Sequence, residues 1–204
     1  MFHLRRNSSA FKFFITLWSK HCDLQDIHLL WALKHVLVSK NLQKGDVLYF
    51  AGDSVKTIFL VTKGALGRTT IDDKDNRLIL NVAFAGMPFM TTKHLYSSTP
   101  IQGDIEVLHP GTEVLTLSYA SLFKFREDER CVDTLISILG NKEKTQRDLL
   151  HIINRNKSPF KRGLLLAEQL PEIFYGLFQY EIAQLLDTSR TTVQSVCRHL
   201  ARKK

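Results

Sequence analysis

The 204-residue chain is long enough for one large or two small domains, and 44% hydrophobic content suits a packed core. Its formal net charge of +8 is uneven, with twelve Lys or Arg against six acids from Asn141 onward and sixteen against fourteen before it, so the basic C-terminal third points to a polyanionic partner. Three widely spaced cysteines, Cys22, Cys131 and Cys197, argue against a secreted disulfide framework and against a short-spaced zinc or redox motif.

The chain starts MFHLRRNSSAFKFFITLW, basic and then apolar, but Lys12 interrupts the run and no small-residue cleavage site follows. No stretch of about 18 uncharged apolar residues occurs, so no membrane partner and a reducing cytoplasm are expected. Ser9 to His21 reads as a helix capped by Ser8 or Ser9, with Phe11, Phe14, Ile15 and Trp18 on one stripe. Asp26 to Val38 reads as a second short helix, with Ile27, Leu30, Trp31, Leu33 and Leu37 apolar.

Short β-runs follow, separated by turn signals: Val47 to Phe50, Thr57 to Val61, Ala65 to Ile71 and Arg77 to Val82. Strands this short and regularly punctuated predict a sandwich or jelly-roll barrel. Metal-binding enzymes on such barrels use a close pair of histidines plus a carboxylate. His94 and His109 are isolated, so no metal and no catalytic residue are expected.

Arg130 to about Arg155 predicts a long helix. Leu135, Leu139, Lys142, Gln146, Leu149 and Ile153 fall at coiled-coil spacing with a polar middle, which predicts a homodimer seam. A helix lying on the barrel is the alternative. Asn156-Lys157-Ser158-Pro159 breaks it and marks a boundary. Phe160 to Leu170 reads as the next helix, ended by Pro171, and Ile173 to Leu177 as a short apolar link.

From Phe178 the periodicity sharpens. Ile182, Leu185 and Leu186 recur at helical spacing, Asp187-Thr188-Ser189 interrupts with turn and cap residues, and Val193, Val196, Cys197 and Leu200 form a second apolar face. Two short helices about a tight turn predict the helix-turn-helix that enters a DNA major groove. The candidate DNA-binding residues are Ser189, Arg190, Thr191, Thr192, Gln194, Ser195, Arg198 and Arg202. Arg190, in the first turn, is placed to grip guanine. Arg198 and Arg202, with Lys203 and Lys204, are placed to meet phosphates. An ordinary helical hairpin is the competing reading.

Glu181-Ile182-Ala183-Gln184-Leu185-Leu186 followed by Ser189-Arg190-Thr191-Thr192-Val193 resembles the reading head of the Crp-Fnr family of bacterial transcription regulators. The strand pattern from about Val38 resembles that family's sensor barrel. The resemblance implies an α+β chain: N-terminal helices, a cyclic-nucleotide-binding-like β jelly-roll barrel, a long dimerisation helix and a C-terminal helix-turn-helix; the family's β-hairpin wing is expected to be incomplete here, where the sequence reads only Ala201 to Lys204 after the reading helix. The corresponding domains are 1–129, 130–156 and 157–204. It also implies double-stranded DNA, a second copy of the chain and RNA polymerase as partners. Thr191 and Ser195 depart from base-reading positions of the family, so no target sequence carries over.

Members that bind a cyclic nucleotide hold its phosphate with a Gly-Glu-Leu turn and a following Arg. Here the stretch is Gly86-Met87-Pro88-Phe89-Met90-Thr91-Thr92, with Thr91 at the Glu position and no Arg from Met87 through Leu117. Lys93 is the fixed cation nearby, and Pro88 removes an N–H donor. The pocket is expected to be apolar or closed by Phe89 and Met90, with no cofactor. Two alternatives stay open: a nucleotide-responsive regulator with a reorganised pocket, and a protein-interaction module whose helix-turn-helix no longer binds DNA.

Overall fold

A computed structural model describes residues 1–93 and 96–202 of the chain. His94, Lys203 and Lys204, all invoked above, lie outside the described residues. By internal contacts the chain divides into two units, Met1–Gly67 with Ala83–Glu143, and Arg68–Val82 with Lys144–Lys204. The fold is α+β.

In the first unit, Ser8 accepts from the Phe11 N–H at 3.2 Å and caps α1 (Ser9–Ser19). The predicted stripe on α1 is buried at Phe11, Phe14 and Trp18, with Trp18 fully enclosed. α2 (Asp26–His35) is shorter than the apolar pattern predicts, because Leu37 and Val38 enter a strand opposite Thr116 and Leu115. Two β-branched residues, Val36 and Val38, favour that extended path. α3 (Tyr119–Asp128), which no sequence signal marked, is capped by Ser118 and stacks Phe125 on Trp31 at 4.9 Å.

Among the described residues, nine strands form two sheets: β1 (Phe2–His3), β2 (Leu37–Leu42), β3 (Val47–Tyr49), β4 (Thr57–Lys63), β5 (Ala65–Ile71), β6 (Arg77–Phe84), β7 (Pro88–Met90), β8 (Asp104–Val107) and β9 (Thr112–Ser118). Their order is β1-β2-β9-β4-β7 in one sheet and β3-β8-β5-β6 in the other. β4 is buried on both faces from Thr57 to Val61, and its alternation sorts the two cores. Ile58 and Leu60 join Leu115, Leu117 and the helical residues Phe14, Trp18 and Leu135. Phe59 and Val61 join Tyr49, Leu66, Phe89 and Ile105 between the sheets. Gly64, at φ 80°, makes the tight corner between β4 and β5, where a side chain would collide with Thr112.

α4 (Cys131–Asn154) continues from the first unit into the second. Its predicted seam faces its own chain. Leu135 and Leu139 are fully buried in the helical core. Lys142 Nζ donates to the Gly86 carbonyl at 3.1 Å, and Gln146 donates to Asn81 Oδ1 at 2.6 Å. Ile153 is buried and Leu149 half-buried. Helical spacing alone reports that a stripe is covered, not whether a second chain covers it.

In the second unit, Ser158 accepts from the Lys161 N–H and Pro159 occupies the first turn of α5 (Pro159–Gln169). Pro171 does not simply stop the chain; it opens a further helix, α6 (Pro171–Gly176), where an apolar link is expected from sequence. A proline lacks the N–H that a first-turn residue leaves unused, so it starts helices as readily as it ends them. α7 (Gln179–Leu185) and α8 (Arg190–Ala201) follow. Among the described residues, no helix is long and apolar enough to cross a membrane.

Candidate nucleic-acid interface

α7 begins at Phe178, whose side chain offers no acceptor for the free N–H groups of the first turn. Glu181 supplies one instead. Its Oε2 accepts from the Phe178 N–H at 3.0 Å and its Oε1 accepts from the Tyr180 hydroxyl at 2.8 Å, with the side chain fully buried. A buried carboxylate needs charge compensation as well as donors. Arg77, from β6, provides positive charge: burial lowers its pKa, and attraction to Glu181 and Tyr180 opposes that fall. The Arg77 guanidinium also donates to Gln184 Oε1 at 2.5 Å. Asp72 shapes the turn before β6, accepting from the backbone N–H groups of Lys74 and Asn76, both at 2.8 Å. These bonds hold the Asp72 carboxyl below its ordinary range.

The turn after α7 is closed by one distant and one local bond. Asn154 donates to the Leu185 carbonyl at 3.1 Å and the Thr188 N–H donates to the Ala183 carbonyl at 3.0 Å. Asp187 takes the left-handed conformation, φ 46°, which short polar side chains tolerate best after glycine. Ser189 then caps α8, accepting from the Thr192 N–H at 3.2 Å. Val193 and Val196 are buried. At Gly163 of α5 an added Cβ would sit 2.7 Å from Val196 Cγ2, so the glycine permits the approach of α5 to α8. Gly163→Val is therefore expected to overpack this contact and cost about 1–3 kcal/mol, read as a lower urea midpoint with an unchanged slope.

The eight sequence-predicted residues all lie on or beside the open face of α8. Ser189, Arg190, Thr191, Ser195, Arg198 and Arg202 are exposed, and Thr192 and Gln194 are half-exposed. At 3.6 residues per turn, Thr191, Ser195, Arg198 and Arg202 share one stripe opposite Val193 and Val196, with Gln194 and Arg190 flanking it on one side. Three hydroxyls already serve the helix itself. Ser189 is the cap, Thr192 Oγ1 lies 2.9 Å from Ser189 Oγ, and Ser195 Oγ donates to the Thr191 carbonyl at 3.0 Å. Among the described residues, the side chains of Arg190, Thr191, Gln194, Arg198 and Arg202 make no such internal bond. Sequence reasoning missed Arg77 and Gln184, since a bond across 107 positions leaves no periodic trace.

The stretch that matches the family's phosphate-holding turn makes internal bonds. Thr91 is fully buried; its hydroxyl donates to the Val55 carbonyl at 2.6 Å and accepts from the Thr57 N–H at 3.0 Å. The Met90 N–H donates to Glu143 at 2.9 Å. Thr92 Oγ1 lies 2.9 Å from the Tyr119 hydroxyl, whose pKa is pushed up by burial. Phe89 and Met90 are both in cores. His109 packs edge-on to Phe84 at 6.0 Å, and no group of three metal-ligating side chains forms among the described residues.

The sequence matches no protein-family model and no curated protein. Solved structures do resemble the fold. FixK2 from Bradyrhizobium japonicum superposes with a TM-score of 0.67 at 16% identity, covering 82% of this chain and 85% of that one. CLP, the c-di-GMP-responsive global regulator of Xanthomonas campestris, gives 0.65 at 15% identity, over 88% and 93%. A transcriptional regulator of the Crp/Fnr family from Eubacterium rectale gives 0.65 at 15% identity, over 92% and 87%. The chain thus has the fold of the Crp/Fnr regulators, with exposed Arg190 and Arg198 on the second helix of the helix-turn-helix and Arg202 capping its end.

Proposed function

We propose that this protein is a sequence-specific, double-stranded-DNA-binding transcription regulator that acts as a homodimer and does not respond to cyclic nucleotides. The observation that carries the reading is α8: one face is buried at Val193 and Val196, and the opposite face presents Thr191, Ser195, Arg198 and Arg202 to solvent, with Arg190 and Gln194 beside them. A helix held this way can enter a major groove, with its first turn against base edges and its far end near the phosphates. Two copies would read half-sites roughly 34 Å apart. RNA polymerase is the further partner that such a regulator would meet.

The test compares Arg190→Ala and Arg202→Ala on an operator, obtained by sequencing DNA retained by the purified protein, and on a scrambled duplex at three salt concentrations. Arg190→Ala should remove about 1–3 kcal/mol of operator preference while leaving weak binding to the scrambled duplex nearly intact. Arg202→Ala should weaken both duplexes and flatten the salt slope by about one unit. If the wild type binds both duplexes weakly and equally, the chain is an interaction module and not a DNA reader.

Absence of an effector response rests on Thr91. It stands at the family's Glu position, is fully buried and bonds the backbone of Val55 and Thr57, and no Arg follows it through Leu117. Calorimetry with cyclic AMP or cyclic GMP should show no saturable heat. Low-micromolar affinity for either would overturn this part of the proposal.

A further inference from the structure

Cys22 and Cys131 are 109 positions apart in sequence, yet Cys22 Sγ donates to the Cys131 carbonyl at 3.5 Å. Trp18 Nε1 donates to the same carbonyl at 3.4 Å. Trp18 itself is locked in the core, so the end of α1 and the start of α4 are held in register by two independent bonds. Both cysteines are partly exposed and neither is in a disulfide. Cys197 belongs to the other unit, and its thiol lines the apolar groove formed by Phe174, Leu177, Ile182 and Leu200.

We propose that Cys22 and Cys131 form a reversible dithiol–disulfide site that exchanges with low-molecular-weight disulfides. In the first step the Cys22 thiolate attacks one sulfur of glutathione disulfide, forming a mixed disulfide and releasing one glutathione thiolate. In the second, Cys131 loses its proton and its sulfur attacks Cys22 Sγ, closing the internal disulfide and releasing the second glutathione. Two protein thiols are oxidised and one small disulfide is reduced to two thiols.

Chemistry orders the two roles. Burial, reinforced by the neighbouring Cys22 thiol, pushes Cys131 up to about 12. A thiol held protonated is a poor nucleophile at neutral pH, so Cys22 opens the exchange and Cys131 resolves it. Beyond the bond from Cys22 Sγ to the Cys131 carbonyl, the two thiols interact side chain to side chain, and this gives the resolving sulfur its proximity.

The full chain is equilibrated with mixtures of reduced and oxidised glutathione, quenched in acid, and measured by intact mass and peptide mapping. The expected product is two hydrogens lighter than the reduced chain, maps to a Cys22–Cys131 cross-link, leaves Cys197 free and reverts with dithiothreitol. Cys131→Ser should instead stop at the mixed disulfide, one glutathione heavier at Cys22. Cys197→Ser should behave as wild type, which keeps the assay interpretable if Cys131→Ser folds poorly. A wild-type chain that stays fully reduced across the series overturns the proposal. So does one that accumulates glutathione on Cys22 without closing, or that cross-links Cys197.

Discussion

Glu181→Ala is expected to destabilise the unit containing the helix-turn-helix by about 3 kcal/mol, read as an early transition in urea. The carboxylate is fully buried and accepts from the Phe178 N–H and the Tyr180 hydroxyl. Truncation leaves both donors without that acceptor and removes the opposite charge facing half-buried Arg77. Hydrogen bonds to charged groups contribute about 1.5–3 kcal/mol each, more than the loss of an exposed pair would produce. Glu181→Gln retains an acceptor but not the charge, so its loss should be smaller. If Glu181→Ala costs under about 1 kcal/mol, the carboxylate does not hold the start of α7. Its effect on DNA would also differ from that of Arg190→Ala: a reading head that unfolds loses operator and scrambled duplex together.

Leu139→Lys should abolish folding of the first unit instead of yielding a soluble monomer. Leu139 is fully buried among Phe14, Trp18 and Leu135. Removing a buried leucine costs about 2–5 kcal/mol before the ammonium is considered, and an unpaired buried charge adds several more. Loss of the near-ultraviolet tryptophan signal would report the outcome, since Trp18 sits in the same core. The contrasting variant is Ile152→Lys. Ile152 is 60% exposed on α4, so its replacement should change stability by no more than about 0.5 kcal/mol. A folded Ile152→Lys monomer by light scattering would place the homodimer contact on that exposed face. A folded dimer would remove Ile152 from it.

The helix-turn-helix was the part most legible in the residues themselves. Apolar residues at Ile182, Leu185, Val193 and Val196, interrupted by Asp187-Thr188-Ser189, dictate two helices and a turn because each signal acts within a few residues. The Ser189 cap and the solvent-facing arginines follow from the same local rules. Four strands, β3 to β6, are legible for a related reason: regular turn signals bound them, and β4 alternates Ile58 and Leu60 against Phe59 and Val61, whereas no sequence signal marked β1, β2, β7, β8 or β9. What tertiary structure decided lies across long separations. The stripe Leu135, Leu139, Lys142 and Gln146 has the spacing of a seam between chains. Only the positions of Gly86, Asn81 and the helical core assign it to the chain's own interior. Arg77 meets Gln184, and Cys22 meets Cys131, with no periodic or motif signal to announce either pairing. Local sequence determines which elements form and which face is apolar. What covers that face depends on the packing free energy of elements a hundred residues apart, and no window of the sequence contains both partners.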